Sequence, residues 1–285
     1  GKKTMKLGVD TLPELPKDTT DRNRTSPFAF TGNKFEFRMV GSSFSLAGPN
    51  ITINTIVADS LRQFADELEG AKDFNAARHD LVVREIKAHK RIIFNGNNYA
   101  PEWAEEAEKR GLLNLKNAAE ALPRFADKKN IELFERNKVF TEREVVTRTD
   151  IMLENYSKVL NIEALTMIDM AKQDIYPAVE GYIASLCGAL KEKKGTLPGV
   201  SFPAQERMIA KLASDAERML ERAEMLDSLL VESKAYETPA KLALFFAEKV
   251  IPVMQELRAY ADGMELNTAA SVWPFPTYGE ILFSV

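Results

Sequence analysis

The sequence predicts an α+β protein that is predominantly α-helical, with an antiparallel strand pair near the N-terminus and a C-terminal antiparallel helical bundle. Charged and apolar side chains alternate strictly from Lys34 to Met39, which is the period of a strand. From about Thr55 onwards, apolar residues instead recur every three or four positions, which is the period of a helix. Glycine and proline interrupt the helical pattern, so we expect several separate helices.

Composition limits the classes of function. The chain has 285 residues, 45% apolar and 28% charged, which suits one large or two modest domains. A net charge of -4 and a pI near 5.5 argue against a nucleic-acid partner. Cys187 is the only cysteine, so no internal disulfide forms, and no apolar stretch approaches the ~20 residues that span a bilayer. We expect a cytoplasmic protein with neither nucleic acid nor membrane as a partner.

The N-terminal region is expected to be extended. Residues 1–20 read as a lead-in without a core of its own, and residues 21–43 read as two short strands joined by a turn. In the second strand Lys34, Glu36 and Arg38 point to one side, while the phenylalanines between them point to the other. One face of this strand pair is therefore predicted to be charged and the other apolar.

Helices follow, each with start or stop signals. The first carries the stripe Val57, Leu61, Phe64 and Leu68 and is expected to end at Gly70. A second is expected from about residue 75 to residue 93. A short third helix is predicted between Pro101 and Gly111, because proline favours a helix start and glycine a helix end.

A long helix is predicted to begin at Thr141. Thr141 and Glu144 have the spacing of a capping box, in which each side chain accepts a hydrogen bond from the other residue's backbone N–H. Beyond it, apolar stripes indicate helices packed at shallow angles. The clearest stripe is Leu212, Ala216, Met219, Ala223, Leu226 and Leu230. Pro177 and Pro252 are expected to kink or break their helices, and the proline-rich tail at residues 273–278 to lie on a surface or against a neighbouring subunit.

The charged strand face is the candidate site. Arg24 and Arg38 offer planar guanidinium groups that bind carboxylates or phosphates, and Lys34 adds a point charge. Glu36 is an oxygen ligand of the kind that Mg²⁺ prefers. On the residues alone, a solvent-exposed strand face with weak ion pairs is the simpler interpretation. Glu85 and His89 share a helical face, but two ligands do not make a metal site.

The stretch DRNRTSPFAFTGNKFEFRMVGSS, residues 21–43, resembles the end of the catalytic domain of type III glutamine synthetases. The matching elements are the Asn-Arg-Thr arm at residues 23–25, the Glu-x-Arg strand at residues 36–38 and the Pro-Asn step at residues 49–50. The commoner classes have a further arginine where this chain has Ala29, which leaves one phosphate contact unassigned. The resemblance runs along the whole chain.

The resemblance implies roles for these residues in making glutamine from glutamate, ammonia and ATP with Mg²⁺ or Mn²⁺. Arg24 would be catalytic and would contact glutamate and the ATP phosphates, Arg38 would hold the substrate carboxylates, and Lys34 would lie near the nucleotide phosphates. Glu36 would be a metal ligand. The resemblance also implies a ring-shaped homo-oligomer, a dodecamer in this family.

The resemblance places the end of the catalytic domain at residues 1–160 and a helical-bundle domain with the proline-rich tail at residues 161–285. Most metal and nucleotide ligands of the family lie on segments that are not in these 285 residues, so we expect the chain alone to be inactive. Two other interpretations stay open. One is a non-catalytic helical module for assembly, and the other is a degenerate paralogue that binds glutamate or nucleotide without turnover.

Overall fold

The computed structural model describes residues 44–92, 100–276 and 278–283, and the backbone of four short strands that precede them. The strands form two antiparallel pairs, β1 (Thr4–Met5) with β2 (Leu15–Pro16) and β3 (Phe28–Phe30) with β4 (Phe35–Phe37). In the second pair, Glu36 lies opposite Ala29.

The α+β class predicted from the sequence, with its strand pair as a structural element beside the helices, is wrong, because the described core is built from helices and the short strands form no layer of it. The strands have only two or three residues each. A pair of this length makes few ladder hydrogen bonds and has no face broad enough to form a layer against helices. The buried core of the described residues is accordingly built from helices.

The chain divides into two compact units, residues 1–114 and residues 115–285. We call them unit 1 and unit 2. The resemblance implies a domain boundary at residue 160. That boundary is drawn from sequence and not from compactness, and it stays a prediction. Among the described helices, none is long and apolar enough to cross a membrane.

Unit 1 contains three α-helices among its described residues. They are α1 (Ala47–Glu69), α2 (Phe74–His89), which runs into a 3₁₀ turn (Lys90–Ile92), and α3 (Pro101–Lys109). The side chain of Asp73 caps α2 by accepting hydrogen bonds from two backbone N–H groups. The predicted bounds of α3 are confirmed, since Pro101 begins it and Gly111 follows it at a φ of 77°.

The apolar stripe of α1 is not its buried side. Val57 and Leu61 of the predicted stripe are 47% and 60% exposed, whereas Thr55 and Asp59 on another face are buried. The Thr55 hydroxyl donates to the carbonyl of Ile51, and the Asp59 carboxylate accepts from the side chains of Arg62 and Gln63 on its own helix. Local hydrogen bonds therefore satisfy the buried polar face, while Val57 and Leu61 of the stripe are exposed and Phe64 and Leu68 are half-buried.

Unit 2 contains the two longest of the described helices, Glu142–Asp169 and Pro203–Ser233. Its described helical elements are α4 (Ala118–Ala121), a 3₁₀ segment (Leu122–Ala126), α5 (Lys128–Arg136), α6 (Glu142–Asp169), a π-helical segment (Met170–Ile175), α7 (Tyr176–Thr196), α8 (Pro203–Ser233), α9 (Pro239–Phe245), a second π-helical segment (Phe246–Val250), α10 (Ile251–Glu265) and α11 (Tyr278–Phe283). The predicted capping box of Thr141 and Glu144 at the start of α6 is confirmed.

Each π-helical segment comes just before a proline. Pro177 is the second residue of α7, and Pro252 is the second residue of α10. Proline has no N–H and cannot donate the regular hydrogen bond to the preceding turn. A wider π-helical turn is a common way for a helix to continue past such a position. Residues 142–196 accordingly form one uninterrupted helical rod, and residues 239–265 form another.

The helices of unit 2 form an antiparallel bundle. Lys194 at the end of α7 contacts Glu206 at the start of α8. Between α8 and α10, Arg222 pairs with Glu256 at 3.0 Å and Arg218 bonds to Tyr260. Because a later residue of α8 faces an earlier residue of α10, the two helices run in opposite directions. The α8 stripe from Leu212 to Leu230 is buried as predicted and forms the centre of the core.

Candidate functional site

The predicted site falls almost entirely on residues that the structure does not describe. Arg24, Lys34 and Arg38 lie outside the described residues. Glu36 is placed by its backbone, in β4 opposite Ala29, and its side chain is outside the description. The catalytic, substrate-binding and metal-binding roles of these four residues therefore stay predictions.

The described side chains include no group of three or more His, Cys, Asp or Glu that could hold a metal ion. The His89 imidazole lies 3.3 Å from the Glu85 carboxylate on an exposed surface of α2. Arg84 also contacts Glu85, at 3.0 Å, and makes two hydrogen bonds of 2.7 Å to Glu67 on α1. These groups tie α1 to α2 as a local ion network.

Unit 2 contains a groove of about 1010 Å³. One wall is the end of α6 with the π-helical segment that follows, and the other wall is α10. Half-buried apolar side chains line it, among them Leu160 and Met167 on the first wall and Ile251 and Met254 on the second. The tail that follows α10 also contributes to the lining.

Aromatic side chains of the tail fix it against the bundle. Trp273 and Phe275 pack on the hydrophobic core of unit 2, with their rings edge to face and their centroids 6.5 Å apart. Both line the groove. The tail was predicted to lie on a surface or against a neighbouring subunit, and these two residues lie on the surface of the bundle of their own chain.

The rim of the groove is acidic. Glu163 lies on the α6 wall, and Asp262 and Glu265 lie on the α10 wall, all three exposed. Arg258 is the basic residue of the lining, and its Nε donates to the Asp262 carboxylate at 3.3 Å. The arrangement offers an apolar floor between carboxylates, which suits a ligand with an apolar face and cationic edges.

Sequence reasoning missed this groove. A methionine at helical spacing usually fills a core, yet Met254 is only half-buried in the groove wall. The acidic residue at position 163 is about a hundred positions away from those at positions 262 and 265. Only the packing of α6 beside α10 brings them to one rim, so no local pattern indicates the site.

Comparisons with known proteins agree along most of the chain. Residues 77–194, from α2 to the end of α7, match the family described as glutamine synthetase C-terminal domain. The chain is 37% identical to a type-3 glutamine synthetase of Dictyostelium discoideum over 99% of its length. It is 38% identical to a glutamine synthetase of Butyrivibrio fibrisolvens over 94% of its length, and 31% identical to one of Bacteroides fragilis over 99%. The chain spans about 40% of the length of these curated relatives.

Proposed function

We propose that this chain forms part of an ATP-dependent glutamate–ammonia ligase, a type III glutamine synthetase, because residues 77–194 match the glutamine synthetase C-terminal domain and the chain is 31 to 38% identical to three glutamine synthetases. The similarity over 94 to 99% of the chain is the observation that carries this proposal. The substrates would be glutamate, ammonia and ATP, with Mg²⁺ or Mn²⁺ as cofactor. The enzyme would act in the cytoplasm as a ring-shaped homo-oligomer, with a dodecamer as the expected form.

The proposed reaction has two steps. ATP transfers its terminal phosphoryl group to the side-chain carboxylate of glutamate, and ammonia then displaces phosphate from the acyl phosphate to give glutamine. Negative charge must be stabilised on the transferring phosphoryl group, and fixed cations lower that barrier because they need no reorganisation. Arg24 and Lys34 are proposed to supply such cations, and Arg38 to hold the carboxylates of glutamate.

Glu36 is proposed as a metal ligand. A bound divalent cation would neutralise phosphate oxygens, and carboxylate oxygens are the ligands that Mg²⁺ and Mn²⁺ prefer. Glu36 lies in β4. Positions 34, 36 and 38 have the spacing that puts side chains on one side of a regular strand. This spacing supports a shared role for the three side chains at one site.

The proposal is tested on the protein that carries this chain, by measuring glutamine formed from glutamate, ammonia and Mg-ATP. We expect Arg38→Ala to raise the KM for glutamate, and Glu36→Gln to raise the Mg²⁺ concentration that is needed for half-maximal rate, each by about tenfold or more. Arg207→Ala and Glu224→Gln, at exposed positions on α8, are the matched controls. Unchanged kinetics in both site variants would reject these assignments.

The 285-residue chain by itself is expected to give no glutamine in the same assay. Of the residues predicted to bind metal, the chain supplies Glu36 alone, and a catalytic metal site needs several ligands. Glutamine above background from the purified chain would contradict this expectation. Binding of glutamate or ATP without turnover by the whole protein would instead favour the degenerate paralogue.

A second candidate function is a helical module for assembly. The packed bundle of unit 2 favours this function. The described side chains of the bundle include no group of residues that could hold a metal ion. Light scattering on the whole protein and on a version that ends at Gly263 would test it. A smaller assembly after the truncation supports the module, and an unchanged assembly counts against it.

A further inference from the structure

The groove between α6 and α10 has the lining of a protein-docking site. Its floor includes Met167, Met170 and Met254, whose flexible thioether side chains adapt to different partners. The apolar surface continues beyond the floor to Ile162 and Ile281, which are 60% and 59% exposed. A continuous apolar surface of this kind on a folded bundle is typical of an interaction site.

The walls suit a helix as the occupant. α7 and α10 are each antiparallel to α8, and α6 continues into α7 as one helical rod, so α6 and α10 run in the same direction with the groove between them. α10 has 15 residues, which corresponds to a channel about 22 Å long. The volume of about 1010 Å³ is at the upper end for small-molecule pockets, and a channel of this length matches three to four helical turns.

Charge defines the chemistry of that helix. Glu163 stands on one wall, and Asp262 and Glu265 stand on the other, so an occupant meets carboxylates along both edges. Neither Glu163 nor Glu265 makes an ion pair with any residue that the structure describes. These two exposed carboxylates lie beside an apolar floor and have no described cation as a partner. They are complementary to a helix with an apolar face and with lysine or arginine at its edges.

The tail of this chain lacks the required charge. Residues 266–285 contain neither lysine nor arginine, and α11 carries Glu280. Placing α11 deeper in the groove would bring a carboxylate towards three others. The tail therefore forms part of the lining and is not suited to fill it.

We propose that the groove binds an amphipathic helix of a protein partner, with an apolar face against the methionines and with lysine or arginine opposite Glu163, Asp262 and Glu265. The groove shares no residue with the predicted catalytic site, whose members all precede residue 39. Binding at the groove goes beyond the proposed synthetase activity and does not depend on it.

Trp273 provides the readout, since it lines the groove and the only other tryptophan is Trp103 in unit 1. The experiment uses the Trp103→Phe protein and two synthetic peptides of about four turns, one built from leucine and lysine and the other from leucine and glutamate in the same pattern. We expect the leucine–lysine peptide to shift Trp273 emission to shorter wavelength in a saturable way, with a Kd that rises with salt.

Two sets of variants locate the binding. Glu163→Gln with Asp262→Asn and Glu265→Gln is expected to weaken the Kd for the leucine–lysine peptide by about tenfold or more. The matched control is Glu224→Gln with Asp227→Asn and Glu232→Gln, which changes the same charge on exposed positions of α8. Ile162→Gln in the groove should weaken binding, whereas Val146→Gln, also exposed on α6 but outside the groove, should not.

Several results would overturn the proposal. Equal binding of the leucine–glutamate peptide, or equal weakening by the α8 control set, would mean that the groove does not select a basic helix. Self-association that is seen by light scattering and lost in Ile162→Gln would identify a second copy of the chain as the occupant instead. Circular dichroism of each variant checks that its helices are intact.

Discussion

Helices α1 and α8 carry similar apolar stripes, yet the two stripes end in opposite environments. In α8 the residues from Leu212 to Leu230 at spacings of three and four are buried. In α1 the stripe begins with Val57 and Leu61, which are exposed. The buried side of α1 carries Thr55 and Asp59, whose hydrogen bonds are made within the helix. A stripe of this kind therefore predicts a helix and its apolar face, but does not show whether that face is covered.

The difference follows from the partners of each helix. α8 lies between α7 and α10, and paired side chains such as Arg222 and Glu256 fix its alignment with α10. In unit 1, α1 packs on α2. One such neighbour covers one side of a helix, and Val57 and Leu61 on the opposite side stay exposed. A single helix pair leaves apolar surface open, whereas a bundle closes it.

The largest expected effect comes from truncating one leucine in each stripe. Leu226→Ala in α8 removes a fully buried side chain and should lower the free energy of unfolding by about 2 to 5 kcal/mol. Leu61→Ala in α1 should change it by less than about 0.5 kcal/mol, because Leu61 is exposed and alanine is an equally good helix former.

Urea unfolding measures both changes in the same protein. Trp103 in α3 reports on unit 1 and Trp273 on unit 2, so single-tryptophan backgrounds separate the two transitions. A loss above about 1 kcal/mol for Leu61→Ala would show that the α1 stripe is covered in solution. That outcome would break the contrast between the two helices.

How much of this fold the sequence predicts depends on the range of the interactions. The capping box at Thr141, the bounds of α3 and the buried stripe of α8 were predicted correctly, because each depends on residues within a few turns of one another. The resemblance to type III glutamine synthetases is also confirmed. The α+β class is wrong, since a local alternation predicts a strand but not its share of the fold.

The sites show the same limit. The groove joins Glu163 to Glu265 across about a hundred positions of sequence, and only the packing of α6 beside α10 makes it visible. The residues of the predicted catalytic site, such as Arg24 and Arg38, lie outside the described residues, so their grouping depends on resemblance. In neither case does a local sequence pattern show which distant residues come together.

Two glycines test whether local strain is the same in both units. Gly111 in unit 1 and Gly199 in unit 2 have φ values of 77° and 92°, a region that side chains with a Cβ disfavour. Alanine at either position should cost about 1 to 2 kcal/mol in its own unit. Gly195→Ala, where no positive φ occurs and the site is open, is the control and should be neutral or slightly stabilising. A neutral Gly111→Ala would mean that α3 ends differently in solution.

Helix caps give the next effect in size. Thr141 caps α6 and Asp73 caps α2, each by accepting from backbone N–H groups of the first turn. Replacing either with alanine should cost about 1 kcal/mol, because one or two N–H groups lose their partner. Thermal unfolding in the two single-tryptophan backgrounds measures this. Loss at Thr141 with none at Asp73 would indicate that α2 frays at its start, and would extend the contrast between the units from side-chain burial to backbone order.

The smallest expected effect concerns one carboxylate in each unit. A charged arginine binds the carboxylate in unit 1, and a neutral threonine binds the one in unit 2. Hydrogen bonds from Arg84 lower the pKa of Glu67 in unit 1, and hydrogen bonds from the Thr141 backbone and hydroxyl lower that of Glu144 in unit 2. A lowered folded-state pKa means that each carboxylate stabilises its unit at pH values above its ordinary pKa of 4.5. This contribution is lost as the pH falls through the folded-state pKa.

Salt should distinguish the two carboxylates at neutral pH, because it screens the exposed pair of Glu67 and Arg84 but not hydrogen bonds to a neutral threonine. We therefore expect Glu67→Gln to matter less in high salt, while the effect of Glu144→Gln on unfolding stays constant. Equal salt dependence would mean that α1 and α2 are not held together by this ion pair, and the openness of the α1 stripe would then need another explanation.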